Sequence, residues 1–189
     1  MRRKHFLLPA LAAAVLALAG CASDHSMGMH HGSGMGAAAA AGHLSAADMG
    51  FVATAAGTDM YEIQAGQLAV NRATQPQVRN YGQMLVNHHT MSSTELKSIV
   101  SAKGAMPAAA LPPDKAAKIA QLQKLQGADF DREFIRMTGV ADHQVAIAQF
   151  EQASRSLADP DLRNFANKTL PVLNQHLRAA QEIAGRMAG

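Results

Sequence analysis

The sequence predicts an all-α fold: an antiparallel four-helix bundle built from two repeated helical hairpins, with a short connecting helix. Three observations carry this. Hydrophobic residues make up 48% of the chain but aromatics only 4%, with no Trp; the abundant Ala, Leu, Gln and Met favour helix, and no stretch alternates with period two. Proline, glycine and capping signals divide the region after residue 44 into five helical segments. The chain also repeats itself, "PQVRNYG" at one helix start and "PDLRNFA" at another, as two hairpins of one design would. The region 45–188 is long enough for one domain with its own core.

Each element has its own signal. Ser45, three before Asp48, is in capping-box order and starts helix 1, Ala46 to Ala73. Pro76 stands where an N1 proline opens helix 2, which runs to Lys103 and stops at Gly104. "GAMPAAALPPD" reads as a loop. The short helix spans Asp114 to Gln126, closed by Gly127, and helix 4 spans Ala128 to Leu157. Pro160 opens helix 5, which runs to Met187 with a kink expected at the internal Pro171.

The N-terminal residues read differently. Arg2, Arg3 and Lys4 precede an apolar run from Phe6 to Ala19, too short to span a bilayer and patterned as an export signal over residues 1–20. It ends Leu18-Ala19-Gly20-Cys21, which resembles a bacterial lipobox with lipidation at Cys21; an ordinary signal with an accidental cysteine is the plainer alternative. Ala22, rather than aspartate, follows the cysteine, which points to the outer membrane, facing the periplasm. Residues 21–44 then form a lipidated N-terminus and linker containing "HSMGMHHGSGMG". Glycine and serine make that tract a tether. Its His25, Met27, Met29, His30, His31 and Met35 could also form a weak metal site, since thioethers suit Cu(I) and imidazoles Cu(II). The chain has 17 Lys+Arg against 14 Asp+Glu, and the signal's three basic residues account for the excess. Charge therefore gives no argument for nucleic-acid binding.

Polar residues interrupt the apolar stripes. Helix 2 carries Val78, Tyr81, Leu85, Ser92, Leu96 and Ile99, with His88 on the stripe and His89 beside it. His143 shares a stripe with Val140, Ile147 and Phe150, His176 one with Leu173 and Ile183, and Glu62 flanks Ile63. Counted from the hairpin turns at 1.5 Å per residue, these groups lie at levels of roughly 16 to 24 Å. If both turns sit at one end, Glu62, His88 or His89, His143 and His176 converge near one layer and offer a divalent metal, Cu or Zn, nitrogen and carboxylate ligands on facing helices. Hydrogen-bonded core histidines are the structural alternative.

"FVATAAGTDMYEIQAGQLA", "VRNYGQMLVNHHT", "FDREFIRMTGVADHQ" and "FANKTLPVLNQHL", in that order, resemble the bacterial envelope family known as domain of unknown function 4142, from Ser45 to Met187. The resemblance implies a ferritin-like bundle, exported and often lipid-anchored, with no established activity. It matches His89, Asp142-His143, His176 and Glu62 to the family pattern; His88 replaces an aspartate, which softens the site toward copper or zinc.

Three functions follow: a metal-binding envelope lipoprotein serving metal or stress tolerance, with copper favoured; a non-catalytic structural or interaction lipoprotein; and a ferritin-like oxidoreductase. No helix carries the Glu-x-x-His of di-iron proteins, which counts against the last. No phosphate loop or nucleophile motif is present, so the reading leans away from an enzyme. Protein partners are not legible.

Overall fold

Ser45 and Asp48 form the expected capping box: the Asp48 amide donates to Ser45 Oγ at 3.1 Å and the Ser45 amide to Asp48 Oδ2 at 3.0 Å. The computed structural model describes residues 43–107 and 109–188; the signal segment, Cys21 and the His/Met tract lie outside the described residues. From that cap the chain is all-α: α1 Ala46–Arg72, α2 Pro76–Ala102, α3 Pro113–Gln123, α4 Gly127–Phe134, a π-helical segment Ile135–Asp142, α5 His143–Ser156 and α6 Pro160–Ala188. Among the described residues, no helix is long and apolar enough to cross a membrane.

The repeated Arg-Asn-aromatic step does the same local work twice. Arg79 Nη1 donates to the carbonyls of Ala73 and Thr74 at 2.7 and 2.9 Å, closing the turn between α1 and α2. Arg163 Nη1 donates to those of Leu157 and Ala158 at 2.6 and 2.8 Å, closing the turn between α5 and α6. An aspartate from the other half braces each turn. Asp131 accepts from the amides of Thr74 and Gln75 at 3.0 and 2.9 Å, and Asp48 from those of Ala158 and Asp159 at 3.1 and 3.2 Å. The aromatics match as well: Tyr81 meets Phe134 edge-on, and Phe165 meets Phe51 edge-on.

α1 and α2 run antiparallel, since Gly66 approaches Gly82 while the earlier Asp59 reaches the later His89. Their crossing needs glycine: a Cβ on Gly82 would lie 2.7 Å from Ala69 Cβ and 2.8 Å from the Gly66 carbonyl oxygen. Gly82→Ala should therefore destabilise by about 1–3 kcal/mol, although alanine in a helix ordinarily gains about 1 kcal/mol over glycine. Gly50, whose Cβ would meet nothing within 4 Å, is the control. Urea melts that show Gly82→Ala stabilising as Gly50→Ala does would refute the close crossing.

Helix 4 of the sequence reading is not one regular α-helix. α4, the π segment and α5 follow without a break, but the widened turns in the middle shift the helical phase. Gly139 permits this by bringing its backbone against α6, where a Cβ would lie 2.7 Å from Ala180 Cβ. α3 ends three residues earlier than read, and Gly127, at φ 59°, opens α4 rather than closing α3. α6 runs through Pro171 without interruption; the ring removes one hydrogen bond, not the helix.

Among the described residues the core forms two apolar clusters. One gathers Tyr61, Tyr81, Leu85, Phe130, Phe134 and Ile183; the other Phe51, Leu96, Phe150, Leu162, Phe165 and Leu173. Along each long helix the residues between the clusters are the polar ones: Asp59 and Glu62 on α1, His89 on α2, Asp142 and His143 at the π–α5 junction, His176 on α6. All are buried.

Candidate metal centre

Helix phase decides which of the paired histidines faces the interior. The buried stripe of α2 runs Val78, Tyr81, Leu85, His89, Leu96, Val100. Its steps are mostly of four, so His89 is on it, while His88, Ser92 and Ile99, read as inward, are only half-buried. His143 and His176 are buried as expected, at 1% and 0% exposure. His89, His143 and His176 each place a nitrogen within 4.8 Å of the other two, a group that could hold a metal ion.

A second partner holds each of these rings. His89 Nδ1 lies 2.8 Å from Asp59 Oδ1. His143 Nδ1 donates to the Thr138 carbonyl at 2.9 Å; the π segment makes this possible, because the His143 amide turns to Val140 O instead. His176 Nε2 lies 2.8 Å from His88 Nδ1. Metal-bound histidines characteristically have such a partner on the ring nitrogen away from the ion. The nitrogens left over face inward: His143 Nε2 and His176 Nδ1 are 3.0 Å apart, and His89 Nε2 is buried with no hydrogen-bond partner among the described residues.

The polarity of this network follows from its ends. A carbonyl only accepts, so His143 carries its proton on Nδ1 and its Nε2 accepts from His176 Nδ1–H. Neutral His176 then accepts at Nε2 from His88 Nδ1–H; the tautomers are assigned from the network. The rings meet edge to edge. Centroids 5.0 Å apart with nitrogens 2.8 Å apart leave no room for face-to-face stacking of His88 on His176.

Electrostatics support neutral rings at the centre. Burial pulls His143 down to about 3, with the charge of His89 adding to it. Burial likewise pulls His176 down to about 2, helped by its histidine neighbours. His89 differs: burial works to lower its pKa, but the Asp59 hydrogen bond and the Glu62 and Asp59 charges outweigh it and raise the value. Burial also raises Asp59 against the pull of His89. Glu62 is pushed up to about 8 by burial, with His89 and Lys115 opposing and Asp142 and Asp59 adding.

Glu62 stands outside the nitrogen triad. Its Oε1 is 3.8 Å from His143 Nδ1, the side of the ring turned to Thr138, and its Oε2 has no hydrogen-bond partner among the described residues. Sequence reasoning did not single out Asp59 or Thr138. Asp59 carried a signal, an acid one turn before Glu62 on a helix otherwise acidic only at its cap; Thr138 acts through its backbone and carried none.

The donor set fits an ion. Three imidazoles, each binding through a deprotonated ring nitrogen, suit zinc, copper, nickel or iron. Bonds of 2.0–2.1 Å put tetrahedral ligands roughly 3.3 Å apart, close to the 3.0 Å between His143 and His176; the widest gap, 4.8 Å, must close by about 1.5 Å on that geometry.

The chain matches the family described as "domain of unknown function (DUF4142)" over residues 33–183. In solved structures, a crystal structure of a DUF305 fragment from Deinococcus radiodurans shares the fold at a TM-score of 0.68 and 17% identity, over 77% of this chain and 99% of that one. No curated protein matches.

Proposed function

We propose that this chain, which belongs to the DUF4142 family, is an outer-membrane lipoprotein facing the periplasm whose helical domain holds a transition-metal ion on His89, His143 and His176. The observation that carries the reading is the buried Nε2 of His89, without a hydrogen-bond partner among the described residues, beside two imidazoles oriented from behind. A ring nitrogen left bare in a core is costly unless something uses it. Copper is favoured by the imidazole nitrogen set and by the thioethers and imidazoles of residues 25–36, with zinc next. The role is metal or envelope stress tolerance rather than catalysis. The architecture is a ferritin-like antiparallel four-helix bundle from two repeated hairpins, a reading supported by the paired arginine and aspartate clamps at the turns. Cys21, in its lipobox setting, anchors the domain to the membrane.

A structural reading keeps one specific support: the hydrogen bond between His143 and His176 satisfies both rings without an ion. Metal analysis of untagged protein separates the two. Membrane-fraction protein should carry about one ion per chain. Cys21→Ser should move to the soluble fraction and keep that ion, and deletion of residues 25–36 should remove only additional, weaker copper. Metal-free protein that takes up no copper or zinc leaves the structural reading standing; wild type recovered soluble with Cys21 unmodified removes the anchor.

A further inference from the structure

We propose that His88 is not a ligand but the positioning residue of the centre, holding His176 in the tautomer that can bind an ion. The inference rests on the metal reading above and deepens it. His88 is half-buried on α2, lines a surface cavity of about 250 Å³ with Met91, Glu95 and Lys168, and contacts the interior through the 2.8 Å link from its Nδ1 to His176 Nε2. In the metal-free network His176 Nδ1–H donates to His143 Nε2. That proton occupies the nitrogen an ion would need.

Loading therefore requires a tautomer exchange. As the ion takes the lone pairs of His143 Nε2 and His176 Nδ1, the His176 Nδ1 proton leaves to solvent. The His88 Nδ1 proton crosses the 2.8 Å hydrogen bond to His176 Nε2, and His88 takes a proton from water on its own Nε2. Every ring stays neutral and the chain's proton count is unchanged. His88 Nδ1 is then an acceptor that fixes the His176 ring, as Asp59 and the Thr138 carbonyl fix the other two. Only a group that can both donate and accept at this position serves both states, and histidine does.

The test uses full-length untagged protein and zinc(II), read on the ring nitrogen resonances of His176, so that ions in the His/Met tract do not enter the measurement. His176 should be protonated on Nδ1 without zinc and on Nε2 with it. Against a competing chelator, His88→Ala should weaken zinc binding about 10- to 100-fold, and His88→Asn, whose Oδ1 accepts where Nδ1 did, should recover most of it. Zinc bound with the His176 proton still on Nδ1, or His88→Ala binding as tightly as wild type, overturns the inference and leaves the metal reading intact. Wild type whose His176 resonances ignore zinc overturns both.

Discussion

A saturating ion should stabilise the wild-type domain by about 4 kcal/mol at a thousand times its dissociation constant, and His176→Gln should lose most of that gain. For a domain of this size, 1 kcal/mol moves the melting temperature by about 2–4 °C, so the wild-type shift is roughly 8–16 °C. Glutamine is chosen because it keeps hydrogen-bonding groups between His143 and His88, both within 3.0 Å of the native ring. The measurement is the difference between loaded and metal-free melts of each protein, so any change in metal-free stability cancels. Equal shifts in the two proteins would place the ion elsewhere.

Glu62→Gln should change how metal-free stability depends on pH. Glu62 is 1% exposed, and burial raises its carboxyl to about 8 from the ordinary 4.5. Between those values the folded chain holds a proton that the unfolded chain has released, so stability falls as pH rises. The loss is about 1.4 kcal/mol per pH unit inside the window, several kcal/mol across it. Glutamine has no proton to lose, so the variant should gain on wild type steadily from pH 5 to pH 8. The acid side should be common to both proteins. His143 and His176, held down to about 3 and 2, stay neutral in the fold while the unfolded imidazoles protonate below 6.5, so stability there drops as pH is lowered. Urea midpoints that run parallel for the two proteins from pH 5 to 8 would contradict a buried, unpaired Glu62.

Ser45 with Asp48, Pro76 and Pro160 fixed where α1, α2 and α6 begin, because capping and proline geometry act within one turn and need no distant partner. Likewise, the sequence alone put His143, His176 and Glu62 on the inward sides of their helices, since an apolar stripe with a polar interruption is a local pattern. Neighbouring residues on a helix differ by about 100°, and a stripe is at least as wide, so the choice between His88 and His89 waited for α6 to meet α2. The π segment likewise depends on a contact: Gly139 against Ala180, far along the chain, makes the wider turn fit. The partners that orient the rings came from tertiary structure as well. Asp59, the Thr138 carbonyl and His88 acquire their roles from a hydrogen bond to one particular ring, and a hydrogen bond's direction and length exist only once both ends are placed.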